Sequence, residues 1–501
     1  MRKSVAATCF LTALLVSTLC AQTAPQVVPN ATTSLNQTTW RSNNARTGVQ
    51  SQETKLTLAN VNSTHFGLAF SMPVSGHVYA QPLYMGNLTI GGKARPVLFV
   101  ATEADLVYAF DADSGAQLWK KSLLPSGATT APSSLVKSSV MPQVGITGTP
   151  VIDPVGKTLY VVAESLESGN IVMQLHALSL TTGVEKLGGP VTITASGFNP
   201  KMQLQRPGLL LANSNVYVAF GSQEDKPPYH GWVFAYHAST LGKIATWNNT
   251  PTGAAGGIWM GGAGISADSN GDIYISGGNG DFDGNRNFGQ SVVKLSPSLV
   301  VLDYFTPVDH VSQSRGDLDI GSSGVTVVPN LNGPFPHILV TCAKFPSVFV
   351  LNRDNMGKLG TTTDRVIQRV NNAVGGTGDK CFSAAAVWNN RVFFVGSNDV
   401  IKSFTLTPST GKISTAATAK GSYVFKFPGA HPVVSANGTS NGIAWAMDWS
   451  TGTLHAYNAL TLKSIYTSGV LGGGVKWATP VVINGMVYVA GNSKVWAFRN
   501  K

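Results

Sequence analysis

The sequence predicts an all-β chain folded as an eight-bladed propeller, and three observations carry that prediction. A strand-and-turn phrase of one design recurs eight times along the 501 residues. The composition is that of a turn-rich, well-buried chain, with 54 glycines, 43% hydrophobic and only 12% charged residues. The last copy of the phrase ends one strand short of a blade, while a spare strand stands ahead of the first copy.

The first copy is VYAFDADSGAQLW, Val107 to Trp119: an alternating apolar strand, an Asp-Ser-Gly turn, then a tryptophan. Alternation gives a strand one face to bury, and glycine serves where a tight turn needs positive φ. The phrase returns as LHALSLTTG from Leu175, VFAYHASTLG from Val233, VVKLSPS from Val292 and VFVLNRDNMG from Val348. It continues as IKSFTLTPSTG from Ile401, LHAYNALTL from Leu454 and VWAFRN from Val495. The mean step of about 55 residues suits a four-stranded antiparallel blade with loops better than a two-helix repeat. Two strands precede most copies, most clearly TPVVI from Thr479 and MVYVAG from Met486 in the last unit. A three-stranded last unit would leave a bare sheet edge. FGLAFSMPV, Phe66 to Val74, is the expected fourth strand, closing the ring from the N-terminal side. Two separate β-domains are the alternative, but no Pro/Ser-rich linker marks a boundary.

Residues 1–21 read as an export signal, with Arg2 and Lys3, an apolar stretch from Val5 to Leu19, and Cys20-Ala21 at the end. A lipoprotein site at Cys20 is the weaker reading, because Leu19 stands where a small residue is expected. Residues 22–60 form a lead segment and 61–501 a single propeller. The expected location is periplasmic or extracellular. No later segment is apolar enough to span a membrane. Signal removal leaves Cys342 and Cys381 as an even pair for a disulfide in an oxidising compartment, where they could tie adjacent blades. The net charge of +11 favours anionic partners, but Lys and Arg are scattered singly, which argues against nucleic acid. The nine histidines make no zinc-ligand spacing. There is no Gly-x-Ser-x-Gly elbow, phosphate loop or Cys-x-x-Cys-His haem site.

The repeated phrase resembles that of the quinoprotein alcohol dehydrogenases, propellers that hold pyrroloquinoline quinone (PQQ) and a metal ion on the axis. The resemblance spans roughly residues 66 to 501. It implies a dehydrogenase of small-molecule alcohols or sugars, using PQQ with Ca²⁺ or a lanthanide. Within GGIWMGGAGISADSNGDIYISGGNG, residues 256–280, it implies Trp259 as the floor under the quinone and Asn279 as a metal ligand. GDLDIG, residues 316–321, supplies Asp317 as catalytic base and Asp319 as an extra metal ligand. TCAKFPSVFVLNRDNMG, residues 341–357, supplies Lys344 as a quinone contact. ESLESGNIVMQLHALSL places Glu164 and Glu167 near the metal-binding glutamate, with Glu167 closer in register. The residue types suit that chemistry. A hard cation takes oxygen ligands, and a carboxylate can remove an alcohol proton while the cofactor accepts hydride.

Each residue also has a structural reading. Trp259 could be blade packing, Asn279 a hairpin turn and Lys344 a solvated strand end. Asp317 and Asp319 would alternate on a strand and share a face. The chain departs from the family in having no adjacent cysteine pair; SSLVKSSVMPQVG from Ser133 stands in the place of that cap. It also lacks the longer insertions that build a substrate funnel. The alternative function is therefore a noncatalytic propeller without cofactor, binding a protein, polysaccharide or cell-envelope component.

Overall fold

All eight copies of the phrase form the third strand of a blade. In the computed structural model, which describes residue 1 and residues 35–376 and 380–501, these strands are Leu106–Asp111, Asn170–Ser179, Trp232–His237, Val292–Leu295, Val348–Asn352, Asp399–Thr407, Thr453–Asn458 and Lys494–Asn500. Each lies in its own sheet, and the eight sheets form an eight-bladed propeller. The expected signal, 1–21, lies outside the described residues. The turn reading holds in the first copy, where Asp111 Oδ1 accepts from the Ser114 amide and hydroxyl, and Gly115 takes φ +75°. Residues 35–501 make one compact unit, and no helix among the described residues is long and apolar enough to cross a membrane.

The ring closes as the strand count demands. Phe66–Pro73 pairs antiparallel with Lys494–Asn500, from Phe66 opposite Asn500 to Pro73 opposite Lys494. The eighth blade thus reads Val481–Ile483, Met486–Ala490, Lys494–Asn500 and Phe66–Pro73, and its bare edge is covered by the other end of the chain. Phe66 is fully buried there against Trp445, Tyr466 and Phe498.

Not every blade has four strands. Asn36–Gln37 adds antiparallel to the innermost strand of blade one, and Val49–Gln50 adds parallel to that of blade seven. Between them the lead segment circles the axis and meets the blades in turn. The carbonyls of Thr38, Asn44, Ala45, Thr47 and Gly48 accept from Ile152, Ala267, Val327, Val387 and Val434, each on an innermost strand, at 2.8–2.9 Å. Asn44 Nδ2 donates to Leu211 O in blade three, and Glu53 Oε2 accepts from Gly485 in blade eight. This segment therefore satisfies inner backbone edges that would otherwise be orphaned inside the channel. Arg41 and Arg46 are fully buried within it. Arg46 donates to the carbonyls of Ile265, Trp40 and Leu209, and Arg41 to that of Pro432. Burial, with no ion-paired carboxylate among the described residues, lowers both guanidinium pKa values to about 9.

Cys342 and Cys381 form a disulfide, both sulfurs buried, with Cα atoms 6.0 Å apart. Cys342 ends the second strand of blade five and Cys381 precedes the first strand of blade six, so the bond ties neighbouring blades near the axis.

Two outcomes follow from this architecture. Phe66→Ala should lower the unfolding free energy by about 3–5 kcal/mol in denaturant titration, because it hollows the closing blade. Replacing both cysteines by alanine should cost about 2–4 kcal/mol, as expected for a closed loop of this length. Thiol titration of the native chain that finds two reactive cysteines would contradict the bond.

Candidate active site

The loops that lead into the inner strands, and those that leave the second strands, converge at one end of the axis. They enclose a cavity of about 240 Å³. Trp259, Trp477, Phe382, Phe427 and Tyr79 supply its aromatic surface; Arg206, Lys344, Lys476, Glu224, Asp225 and Asp319 supply its charges. In a chain with only 12% charged residues this is a pronounced concentration.

Trp259 lies on a bed of glycines. Gly221, Gly257 and Gly278 come from three separate segments, and a Cβ on any of them would collide with the indole. The ring is fixed further by Nε1 donating to Ser222 O at 3.1 Å and by the edge of Tyr229 at 5.9 Å. A flat indole held this way faces the cavity as a platform.

Beside it runs a polar network that joins three blades. Gln290 Nε2 donates to Asn279 Oδ1 at 2.9 Å, and Asn279 Nδ2 donates to Asp317 Oδ1 at 2.8 Å. Lys344 Nζ bridges Asp317 Oδ1 at 2.5 Å and Asp319 Oδ2 at 2.7 Å. Lys380 Nζ stands 3.8 Å from Asp317 Oδ2. Burial works to raise the Asp317 carboxyl, but Lys344, Asn279 and Lys380 outweigh it and hold the pKa below the usual carboxylate value. Burial likewise opposes the Lys344 charge, yet Asp319 and Asp317 push its pKa up to about 12. Asp319 is 2% exposed and its Oδ1 has no hydrogen-bond partner. Asp225 accepts from Tyr229 Oη at 2.8 Å, and burial raises its pKa.

The two aspartates are not on a strand, contrary to the expected alternation. Asp317 follows the helix His310–Arg315 with φ 52°, and Asp319 precedes the short 3₁₀ turn Ile320–Ser322. Left-handed backbone at Asp317, Glu224, Asp225 and Trp477 marks the rim of this cavity as a conformationally costly region.

Trp259, Lys344 and Asp319 line the cavity, and Asp317 and Asn279 join it through the network. Glu167 does not reach it. Thr158–Glu167 and Asn170–Ser179 pair to their ends in a tight hairpin, so Glu167 stays opposite Asn170 with its carboxylate on the Ser165 hydroxyl at 2.7 Å. In the third unit the second strand stops at Ser222 and the longer loop 223–231 folds over the cavity, bringing Glu224 and Asp225 into it. The signal for these residues was present in the repeat. Glu224 occupies in the third unit the slot between second and third strands that Glu167 occupies in the second. Ser139 and Val140, from the segment that stands in place of the cysteine cap, also line the cavity.

No protein-family model matches this sequence, and neither does any curated protein. Solved structures do match in fold. The quinohemoprotein alcohol dehydrogenase of Comamonas testosteroni superposes with a TM-score of 0.67 at 15% identity, over 94% of this chain and 81% of that one. A europium-containing methanol dehydrogenase gives 0.63 at 14% identity, over 93% and 98%. BamB from Moraxella catarrhalis gives 0.50 at 15% identity, over 86% and 98%. At such identities the likeness shows the propeller fold.

Glu164 has a different fate from Glu167. With Glu103 and Asp105 it forms a buried trio around Gly145, whose amide donates to Glu103 Oε2 at 2.7 Å. Among the described residues only that one of their six oxygens has a hydrogen-bond donor. Burial, and then their mutual repulsion, raises Asp105 and Glu164 well above ordinary values, while burial raises Glu103 to about 8. Carboxyls raised by folding stabilise fully below their unfolded values, near 4. That stability disappears as pH climbs through the folded values, about 8 for Glu103. The melting temperature should therefore fall between pH 5 and 8, and Glu164→Gln should flatten the slope and stabilise by on the order of 1–3 kcal/mol at pH 8. A native chain whose melting temperature is level across that range refutes the assignment.

Proposed function

We propose that this chain is an exported, PQQ- and metal-dependent dehydrogenase of alcohols or sugars. The observation that carries the reading is the juxtaposition of a glycine-bedded indole, Trp259, with Lys344 and Asp319 in one axial cavity, to which the Asn279–Asp317 pair is joined through Lys344. The indole platform suits a flat polycyclic ligand, and Lys344 supplies a cation beside it. Hard oxygen donors for a cation come from Asp319, whose buried Oδ1 is unpartnered, and from Asn279, Asp225 and Glu224. Among the described residues no three ligating side chains are already arranged to hold a metal ion; in the cavity Lys344 sits between the two aspartates instead. In this reading Glu167 has no part in metal binding, and the loop 223–231 provides the glutamate. The quinone, when bound, supplies the two-electron acceptor for the alcohol carbon.

The protein's own residues divide the remaining work. Asp317 is the base. Its depressed pKa keeps it ionised through the neutral range, and its side chain is 57% exposed, open to an incoming hydroxyl. Lys344 and Asn279 fix that carboxylate from two sides. Phe382 and Trp477, 5.8 Å apart, give the cavity an apolar wall that excludes water from part of it. The disulfide supports export, because such bonds persist in oxidising compartments.

Metal-stripped mature protein titrated with PQQ, with and without Ca²⁺ or La³⁺, should show saturable quenching of tryptophan fluorescence at about micromolar affinity. Trp259→Ala should abolish it. Asp317→Ala should keep binding but lose about 10²–10⁴-fold in turnover with an artificial electron acceptor. Absence of binding with every metal would leave a propeller without its quinone and return the noncatalytic reading.

A further inference from the structure

Three cations line the cavity, and among the described residues only one of them is ion-paired. Lys344 is taken up by Asp317 and Asp319. Among the described residues Arg206 and Lys476 make no ion pair and no side-chain hydrogen bond; aromatic faces hold them instead. The Arg206 guanidinium lies 4.3 Å from the Trp477 ring centroid. Lys476 Nζ lies between two rings, 5.3 Å from Phe427 and 5.5 Å from Trp449. Glu224, the carboxylate of the cavity that most affects both, already accepts from the Ser139 amide at 3.2 Å. Burial first, and then the neighbouring Arg206 charge, lowers the Lys476 pKa. Two like charges have thus been gathered into one partly desolvated wall with no directly ion-paired carboxylate among the described residues, an arrangement that costs free energy until an anion arrives.

We propose that Arg206 and Lys476 form a carboxylate-binding subsite at the mouth of the axial cavity, and that the substrate is an alcohol bearing a carboxylate, such as a hydroxy acid or sugar acid. The word substrate rests on the dehydrogenase reading above; the anion subsite does not. A guanidinium stacked on an aromatic face keeps its N–H edges for in-plane acceptors, which matches the two oxygens of a carboxylate. The position favours a substrate group over a cofactor group. Phe427, which flanks Lys476, is 45% exposed, placing Lys476 at the entrance, while Arg206 lies deeper on the Trp477 wall and not on the Trp259 floor. Trp477, which carries Arg206, holds a left-handed backbone at φ 70°, a conformation kept only where the surroundings enforce it. Lys476 and Trp477 are adjacent in sequence, so one loop sets both halves of the wall.

The test needs no turnover. Glycerate and glycerol, which differ in the carboxylate, are titrated calorimetrically into the mature chain, into Arg206→Gln and into Lys476→Met. Glycerate should bind the native chain at least about ten-fold tighter than glycerol and weaken as salt rises. Each variant should lose about ten-fold for glycerate, and Lys476→Arg should restore most of it. Equal binding of the two ligands by the native chain overturns the proposal, as does unchanged glycerate affinity in both variants. Thermal unfolding of each variant identifies a misfolded one, and Lys476→Arg then decides. PQQ titration of the same variants separates the sources of the carboxylate. If both lose PQQ affinity in parallel with glycerate, the cations serve the cofactor and the proposal fails. If the native chain takes up no PQQ yet selects glycerate through these two residues, the cofactor reading fails and the subsite stands.

Discussion

Every feature of the site depends on one constraint: a ring of sheets must leave no unpaired edge. Phe66–Pro73 meets it at the outer strand of the last blade, by pairing with Lys494–Asn500. The lead segment meets it at the inner strands, whose amides would otherwise face an empty channel. It donates nothing to the cavity lining, yet its carbonyls hold the second residue of an inner strand in five different blades. Those strands begin where the cavity ends. Fixing them fixes the loops that carry Trp259, Asp319, Phe382 and Trp477.

The molecule handles charge in two opposite ways. Arg46 is buried for structure and is satisfied by backbone carbonyls, which anchor without neutralising. The Glu103, Asp105 and Glu164 trio is buried with almost no hydrogen-bond partners, and burial raises its carboxyl pKa values instead. At the cavity the rule changes. Lys344 and its two aspartates form a bridged triad in which each charge holds another, and the Asp317 carboxylate stays anionic although partly buried. A triad of this kind, buried at Lys344 and Asp319 and exposed at Asp317, is poor evidence for stability, since desolvation opposes the attraction. Its value lies in position, because it joins segments around Asn279, Asp317 and Lys344 that belong to neighbouring blades.

Aromatic residues divide between the same two tasks. Within blades they stack along strands, as Tyr108 does on Phe110 and Trp232 on Phe234. Around the axis they stand on loops, touch one another edge-on or tilted, and meet cations or open space. Trp259 separates from the packing population because three glycines remove every side chain beneath it, and Trp477 separates because a guanidinium covers it.

Much of this was legible in the amino-acid order. The periodic phrase determined the blade count, the missing strand determined the closure, and an even cysteine pair pointed to a bond that the structure forms. These are local or counting signals: strand alternation, turn residues, and the need to cover an edge. Trp259, Asn279, Asp317, Asp319 and Lys344 were singled out by resemblance, each within its own quoted segment, and the structure brings them into one neighbourhood. What order alone did not determine is which blade sends a carboxylate to the axis. Glu167 and Glu224 share a slot in the repeat, and only hairpin length separates them: a tight turn keeps the first outside, and the longer loop 223–231 carries the second in. Nor does order show that residues 36–53 encircle the axis, or that Arg206 and Lys476, from different blades, line one cavity. Those contacts join residues far apart in the chain, and they exist only once the ring has closed.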